Sequence, residues 1–168
     1  MKKLVFILIL FPILLAAQDI NKMTIDEKSG KPIAIGLCNR TVFADTNFAW
    51  WYDSGYNNYE ANTEDLDTIK NKLDDVKIKI VFGTWCSDSR REVPRFLKIL
   101  DELKFVQNNL TMICVNRDKE ADSTEVKDLD ILFVPTFIIY RNNAELGRII
   151  EEPKTTLEGD LKKILKLF

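Results

Sequence analysis

The 168-residue chain contains no histidine. That absence excludes every Cys-His and Ser-His nucleophile pair, histidine-ligated haem or zinc, and a histidine pH switch. Glycine and proline are sparse, at six and five residues, which excludes a low-complexity chain. The three cysteines are too few for a disulfide-dense scaffold, and no two of them have C-x-x-C spacing. Neither a metal site nor a cofactor is expected. Charge of one sign is also not in excess: 24 basic residues stand against 26 acidic, a formal net charge of −2. A near-balanced surface argues against nucleic acid as the main partner. The length suits a single domain.

What is present begins with a signal. Lys2 and Lys3 precede an apolar run from Leu4 to Leu15, broken only by Pro12, and Ala16-Ala17 leads into Gln18-Asp19. This is the layout of a secretory signal, and the run is short for a spanning helix. Leu15 stands where a small residue is usual before cleavage, so an uncleaved membrane anchor is the alternative. We expect a signal peptide over 1–17, a single domain over 18–168, and a periplasmic or extracellular location. An oxidising compartment permits disulfides. Cys38, Cys86 and Cys114 are an odd set, so at most one internal bridge forms.

Periodicity then sets an element order. Ile33 to Leu37 reads as a first strand after Gly30-Lys31-Pro32. Phe43 to Tyr59 is rich in aromatics but mixes in Gly55, Asn57 and Asn58, so it does not read as a clean amphipathic element. It is taken as core and loop packing, unless Trp50 or Trp51 is exposed for binding. Leu66, Ile69 and Leu73 have helical spacing. Ile78 to Phe82 is a buried strand ending at Gly83. Val93, Phe96, Leu97, Leu100 and Leu103 form one face of a helix opened by Ser87-Asp88-Ser89. Leu110 to Val115 is another strand. Asp118 to Asp130 is an acidic loop or short helix; Ser123 and Leu129 occupy positions where a calcium loop needs Gly and Glu. Phe137–Tyr140 and Leu146–Ile150 flank Asn142-Asn143, a hairpin signal. Thr155 and Glu158 have capping-box spacing ahead of a last helix carrying Leu157, Leu161, Ile164, Leu165 and Phe168. Strand–helix–strand through Phe82, Phe96 and Ile113 implies a parallel crossover. The expected class is α/β: a mixed central sheet with helices on both faces, closed by a β-hairpin and a helix.

The segment Ile80-Val-Phe-Gly-Thr-Trp-Cys-Ser-Asp-Ser-Arg-Arg-Glu-Val-Pro94 holds the chemistry. Cys86 leaves a strand and opens a helix, where N–H groups and the macrodipole favour the nucleophilic thiolate. The bland alternative is a small buried hydrophobe. Trp85-Cys86, Arg90, Pro94 and the distant Val134-Pro135-Thr136 together resemble the thioredoxin superfamily. The resemblance covers about 78–168, with 18–77 as an N-terminal extension or a first strand and helix. It implies a thioredoxin-like fold, thiol–disulfide exchange at Cys86, and a cis peptide at Pro135. It further implies that Trp85, Val134, Pro135 and Thr136 line a substrate groove, with Val134 backbone pairing with a peptide.

Three departures accompany the resemblance. Ser89 replaces the second cysteine, so a mixed disulfide must be released by an external thiol or another cysteine. Ile80 and Cys114 stand where the family has a buried acid and its lysine partner. Asp88 adds a negative charge that opposes the helix end, while Arg90 and Ser89 are positioned to favour the thiolate. Cys114 reads as a core cysteine, and Cys38 as structural or as a redox partner of Cys86 or of another chain. Gly83 stands where a peroxiredoxin has Thr. Asn39-Arg40-Thr41 and Asn109-Leu110-Thr111 fit the glycosylation triplet. The expected activity is single-thiol exchange on exported protein substrates or thiols, of isomerase or mixed-disulfide reductase type. Membrane contact is expected only if the signal stays uncleaved. The alternative is a non-catalytic binding module for an exported partner, and a third reading pairs Cys38 with Cys86.

Overall fold

The computed structural model describes residues 20–121 and 124–166; the signal expected over 1–17, with its cleavage point, lies outside them. Among the described residues there are six strands and four α-helices. In chain order they are β1 (Lys22–Ile25), β2 (Pro32–Cys38), α1 (Thr46–Asn57), α2 (Thr63–Ile69), β3 (Val76–Phe82), α3 (Ser87–Glu102), β4 (Leu110–Cys114), β5 (Thr136–Arg141), β6 (Ala144–Ile150) and α4 (Leu157–Lys166).

The strands form one mixed sheet in the order β1-β2-β4-β3-β5-β6. β3 and β4 are parallel, with Ile80 opposite Met112 and Phe82 opposite Cys114, as a helical crossover through α3 requires. The other pairs are antiparallel. The β5–β6 hairpin turns at Asn142 and Asn143, both with positive φ (52° and 64°). Asparagine tolerates that conformation, which matches the strand twist.

Period-two alternation sorts the core. Val76, Ile78, Ile80 and Phe82 point to one face, where they join Phe96 of α3, Phe48 and Trp51 of α1, Leu66 and Ile69 of α2, and Leu161 and Leu165 of α4. The opposite face carries Val81, Ile113 and Val115 and is covered more thinly, by Val126 of a 3-10 segment (Thr124–Leu129) and by Val134. Among the described residues the four α-helices all pack on the first face, and the 3-10 segment is the helical element on the second.

Three local findings differ from the sequence reading. β1 has no counterpart in it: all four of its residues are exposed, so no burial pattern announced it. The aromatic stretch forms a helix, α1. Asp45 caps it by accepting the Asn47 N–H (2.8 Å), and Tyr52 stacks on Phe43 with ring centroids 4.2 Å apart. Gly55 sits inside α1 because a Cβ there would meet Pro94 Cγ of α3 at 2.6 Å. Finally, Thr155 and Glu158 do not cap α4 reciprocally. Thr156 accepts the Gly159 N–H (2.9 Å) and Thr155 donates to Asp160 (2.8 Å). Glu158 is turned inward, where it accepts from the Tyr59 hydroxyl (2.9 Å) and the Asn62 N–H (3.1 Å).

Candidate active site

The site lies at the carboxyl ends of the parallel pair β3–β4, where open α/β sheets bind ligands. Cys86 occupies the N-cap of α3 with extended backbone (φ −87°, ψ 132°) and makes no side-chain capping bond. Its own N–H closes on the Gly83 carbonyl (2.9 Å) and its carbonyl takes the Arg90 N–H (3.1 Å). The first-turn N–H groups of α3 lack intrahelical partners by construction and face the N-cap. The sulfur is half-buried.

The Val134–Pro135 peptide is cis. It brings the Val134 carbonyl to 3.2 Å from the Cys86 sulfur. A carbonyl accepts from a thiol and not from a thiolate, so only the thiol form can make this hydrogen bond. The loop is fixed from both sides. Thr136 donates to the Phe133 carbonyl (2.7 Å), and the Pro135 carbonyl accepts the Glu151 N–H (2.7 Å). Thr136 thus shapes the loop and is itself buried, while Phe133 and Leu132 ahead of it are exposed (51% and 74%).

Trp85 folds over Gly83, where a Cβ would meet the indole at 2.6 Å, and donates from Nε1 to the Val115 carbonyl (2.8 Å). Ser89 is fully buried and its hydroxyl accepts the Gly83 N–H (3.2 Å). It ties the first turn of α3 to the end of β3. Arg90 donates from Nε to the Thr84 carbonyl (2.8 Å), and its guanidinium lies 6.0 Å from the Trp50 ring. Asp88 pairs with Arg91 (2.9 Å), which offsets part of the negative charge it brings to the helix end. The structure therefore gathers Trp85, Cys86, Val134 and Pro135 around one thiol, and uses Ser89, Arg90 and Thr136 to hold the surrounding backbone.

Sequence reasoning missed two charged residues here. Arg117, beyond the end of β4, lies 4.8 Å over the Trp85 ring. It forms a bidentate pair with Asp26, at 2.8 and 2.9 Å. Asp26 is held well below the usual carboxylate range, first by Arg117 and then by the Ser29 hydroxyl. The Arg117 pKa is raised, chiefly by the hydrogen-bonded Asp26. Arg117 is thus a cation on the ring of Trp85, the residue next to Cys86. The available signal was positional: an arginine just past a strand parallel to the one that delivers Cys86. Beyond Arg117, a cleft of about 640 Å³ opens between β1 and residues 116–121, and Cys86 does not line it.

Cys38 and Cys114 lie elsewhere, buried, with sulfurs 3.3 Å apart. Ile80 and Cys114 are fully buried in the apolar core.

The sheet, the half-buried cysteine at a helix N-cap and the facing cis-proline loop define a thioredoxin-like fold. The chain is similar in sequence to two thioredoxins. Mitochondrial thioredoxin O of Oryza sativa subsp. japonica is 24% identical over 108 residues, 62% of this chain, and the match spans 60% of that protein's length. Thioredoxin of Coprinus comatus is 28% identical over 102 residues, 60% of this chain and 92% of that protein. The crystal structure of the germline-specific thioredoxin Deadhead of Drosophila melanogaster aligns with a TM-score of 0.39 at 14% identity, covering 61% of this chain and 89% of that one. No family model matches the chain. A thioredoxin-like fold supports thiol–disulfide redox chemistry in general terms.

Proposed function

We propose that the protein is an exported, single-thiol exchange catalyst acting through Cys86 on disulfides of polypeptides. The observation that carries this reading is the half-buried sulfur at the α3 N-cap, 3.2 Å from the Val134 carbonyl of the cis-proline loop. The charged n-region and apolar run at the N-terminus support export.

In the first step the Cys86 thiolate attacks one sulfur of a substrate disulfide. A Cys86–substrate disulfide forms and the other substrate sulfur leaves as a thiolate. Arg117 and the first-turn amides face the negative charge on Cys86 before attack. Ser89 has no sulfur and is engaged by the Gly83 N–H, so it does not resolve the adduct. In the second step an external thiolate, or a second cysteine of the substrate, attacks the substrate sulfur and returns Cys86 as thiolate. Attack by the same substrate's cysteine isomerises it; attack by a small thiolate on the substrate sulfur releases the substrate as its mixed disulfide with the small thiol and frees Cys86. No net dithiol reduction occurs in one turnover. Val134 and the exposed Leu132 and Phe133 offer the backbone and apolar surface that an extended peptide uses.

The test is refolding of a scrambled disulfide protein in a glutathione buffer, alongside capture of mixed disulfides. Wild type is expected to accelerate reshuffling and to be captured on substrate through Cys86. Cys86→Ser is expected to do neither. Equal rates for the two proteins, with substrate still bound by both, would instead establish a binding module.

A further inference from the structure

We propose that Cys38 and Cys114 are a disulfide site that ties β2 to β4, leaving Cys86 as the lone free thiol of the oxidised protein. The compartment in which the bridge persists rests on the export reading above; the site itself rests on geometry. The two sulfurs are in contact at 3.3 Å, and both residues are buried, 9% and 0% exposed. They lie 76 residues apart in sequence, on adjacent strands of the sheet. Cys38 ends β2, opposite Met112, and Cys114 ends β4, opposite Gly36. They are therefore diagonal neighbours across an antiparallel pair, where Cα atoms stand about 7–8 Å apart and Cβ atoms somewhat closer. That lies just beyond the usual Cα span of a disulfide, so closure asks for a small backbone movement together with a shift of roughly 1 Å at the sulfurs. The residue facing Cys114 is Gly36, at φ +81° with nothing within 4 Å of a Cβ position. β2 thus has its most permissive residue where the adjustment falls.

The reaction balances with a small disulfide as oxidant. One cysteine thiolate attacks the small disulfide, forming a mixed disulfide and expelling one thiolate. The second cysteine attacks the protein sulfur and expels the other. The net change is two cysteine thiols and one small disulfide giving the Cys38–Cys114 bridge and two small thiols. Burial and the neighbouring Cys38 push the Cys114 thiol well up, so the folded reduced chain presents little thiolate there. The reaction belongs to the folding chain.

This assignment decides which sulfur resolves the Cys86 adduct. With three cysteines, only Cys38 or Cys114 could do so from within. Their contact with each other removes both, and release falls to an external thiol.

The experiment refolds the Cys86→Ser chain from denaturant in a glutathione buffer, then denatures it, alkylates it and maps peptides by mass spectrometry. A Cys38–Cys114 linked peptide with no alkylation of either residue is expected, and adding a reductant should lower the urea midpoint. Alkylation of both residues, or glutathione on each, overturns the proposal. The wild-type chain is mapped in parallel. There Cys86 is expected to be alkylated stoichiometrically, and a Cys38–Cys86 peptide overturns the proposal. The Cys38→Ala/Cys114→Ala protein is expected to keep exchange activity within twofold of wild type. If that activity is absent from every variant while the linked peptide is found, the exchange reading fails and the bridge stands.

Discussion

Arg117 and Asp26 form a charged pair whose guanidinium lies over Trp85, next to Cys86 in sequence. A cation near a thiol favours its charged form, so Arg117→Ala is expected to slow iodoacetamide alkylation of Cys86 at pH 7 by on the order of threefold or more. The measurement uses Cys38→Ser/Cys114→Ser as the parent, and an unchanged rate would remove Arg117 from the site. Asp26 gives a pH signature with a definite sign. Its folded-state pKa is depressed by Arg117 and Ser29. It therefore contributes stability above the unfolded carboxyl value of about 3.9, and that contribution is lost as pH falls below it. Asp26→Asn is expected to be less stable than wild type at pH 7, with the gap narrowing as pH is lowered from 5 to 2. Urea unfolding across that range checks both statements. Gly83 makes a steric case. A methyl there meets the Trp85 indole at 2.6 Å, and overpacking of this kind costs about 1–3 kcal/mol. Gly83→Ala should show that loss together with a changed Trp85 fluorescence.

Elements are joined by residues whose partners lie far along the chain. Glu158 of α4 is buried and accepts from the Tyr59 hydroxyl and the Asn62 N–H, which caps the entry to α2. Removing it leaves two donors without their acceptor, at about 1–3 kcal/mol each. Glu158→Ala is expected to lower the unfolding free energy by about 2 kcal/mol or more, read from the urea midpoint at constant slope. Burial and Glu158 raise the Tyr59 phenol, so its ultraviolet titration should move toward the ordinary value near 10 in that variant. This join also marks how far the sequence could be read. β3, α3, β4 and the hairpin were legible because each is buried on a fixed period and bounded by Gly83, Ser87 or Asn142-Asn143. α1 was not, because Gly55 looks like a breaker until Pro94 is seen against it. β1 was not, because an exposed edge strand has no buried face to show. Trp85, Cys86 and Pro135 could be found by motif. Asp26 and Arg117 could not, since their pairing joins positions 91 residues apart.

At the scale of the whole molecule, the site end is assembled from four separate stretches of chain. The loop 83–90 brings the thiol, 132–136 the cis-proline face, 116–117 the cation, and α1 an indole. Trp50 is 65% exposed and rests beside Arg90 in the first turn of α3; its neighbour Trp51 is buried. Phe133 is exposed on the other approach, one residue before the carbonyl that meets Cys86. Scattered exposed apolar residues are ordinary on a protein surface. Two exposed aromatics on unrelated elements, one beside Arg90 of α3 and one in the loop whose carbonyl meets Cys86, fit recognition of a polypeptide, since large aromatics are enriched at interfaces. A small disulfide offers little surface for such aromatics to grip. Trp50→Ala and Phe133→Ala are therefore expected to lower kcat/KM for a disulfide-containing polypeptide, each by about tenfold, the equivalent of about 1.4 kcal/mol. With a small disulfide such as oxidised glutathione, the same variants should stay within twofold of wild type. Parallel losses on both substrates would show instead that the aromatics support the fold around Cys86. Losses on neither would place polypeptide recognition elsewhere on the molecule.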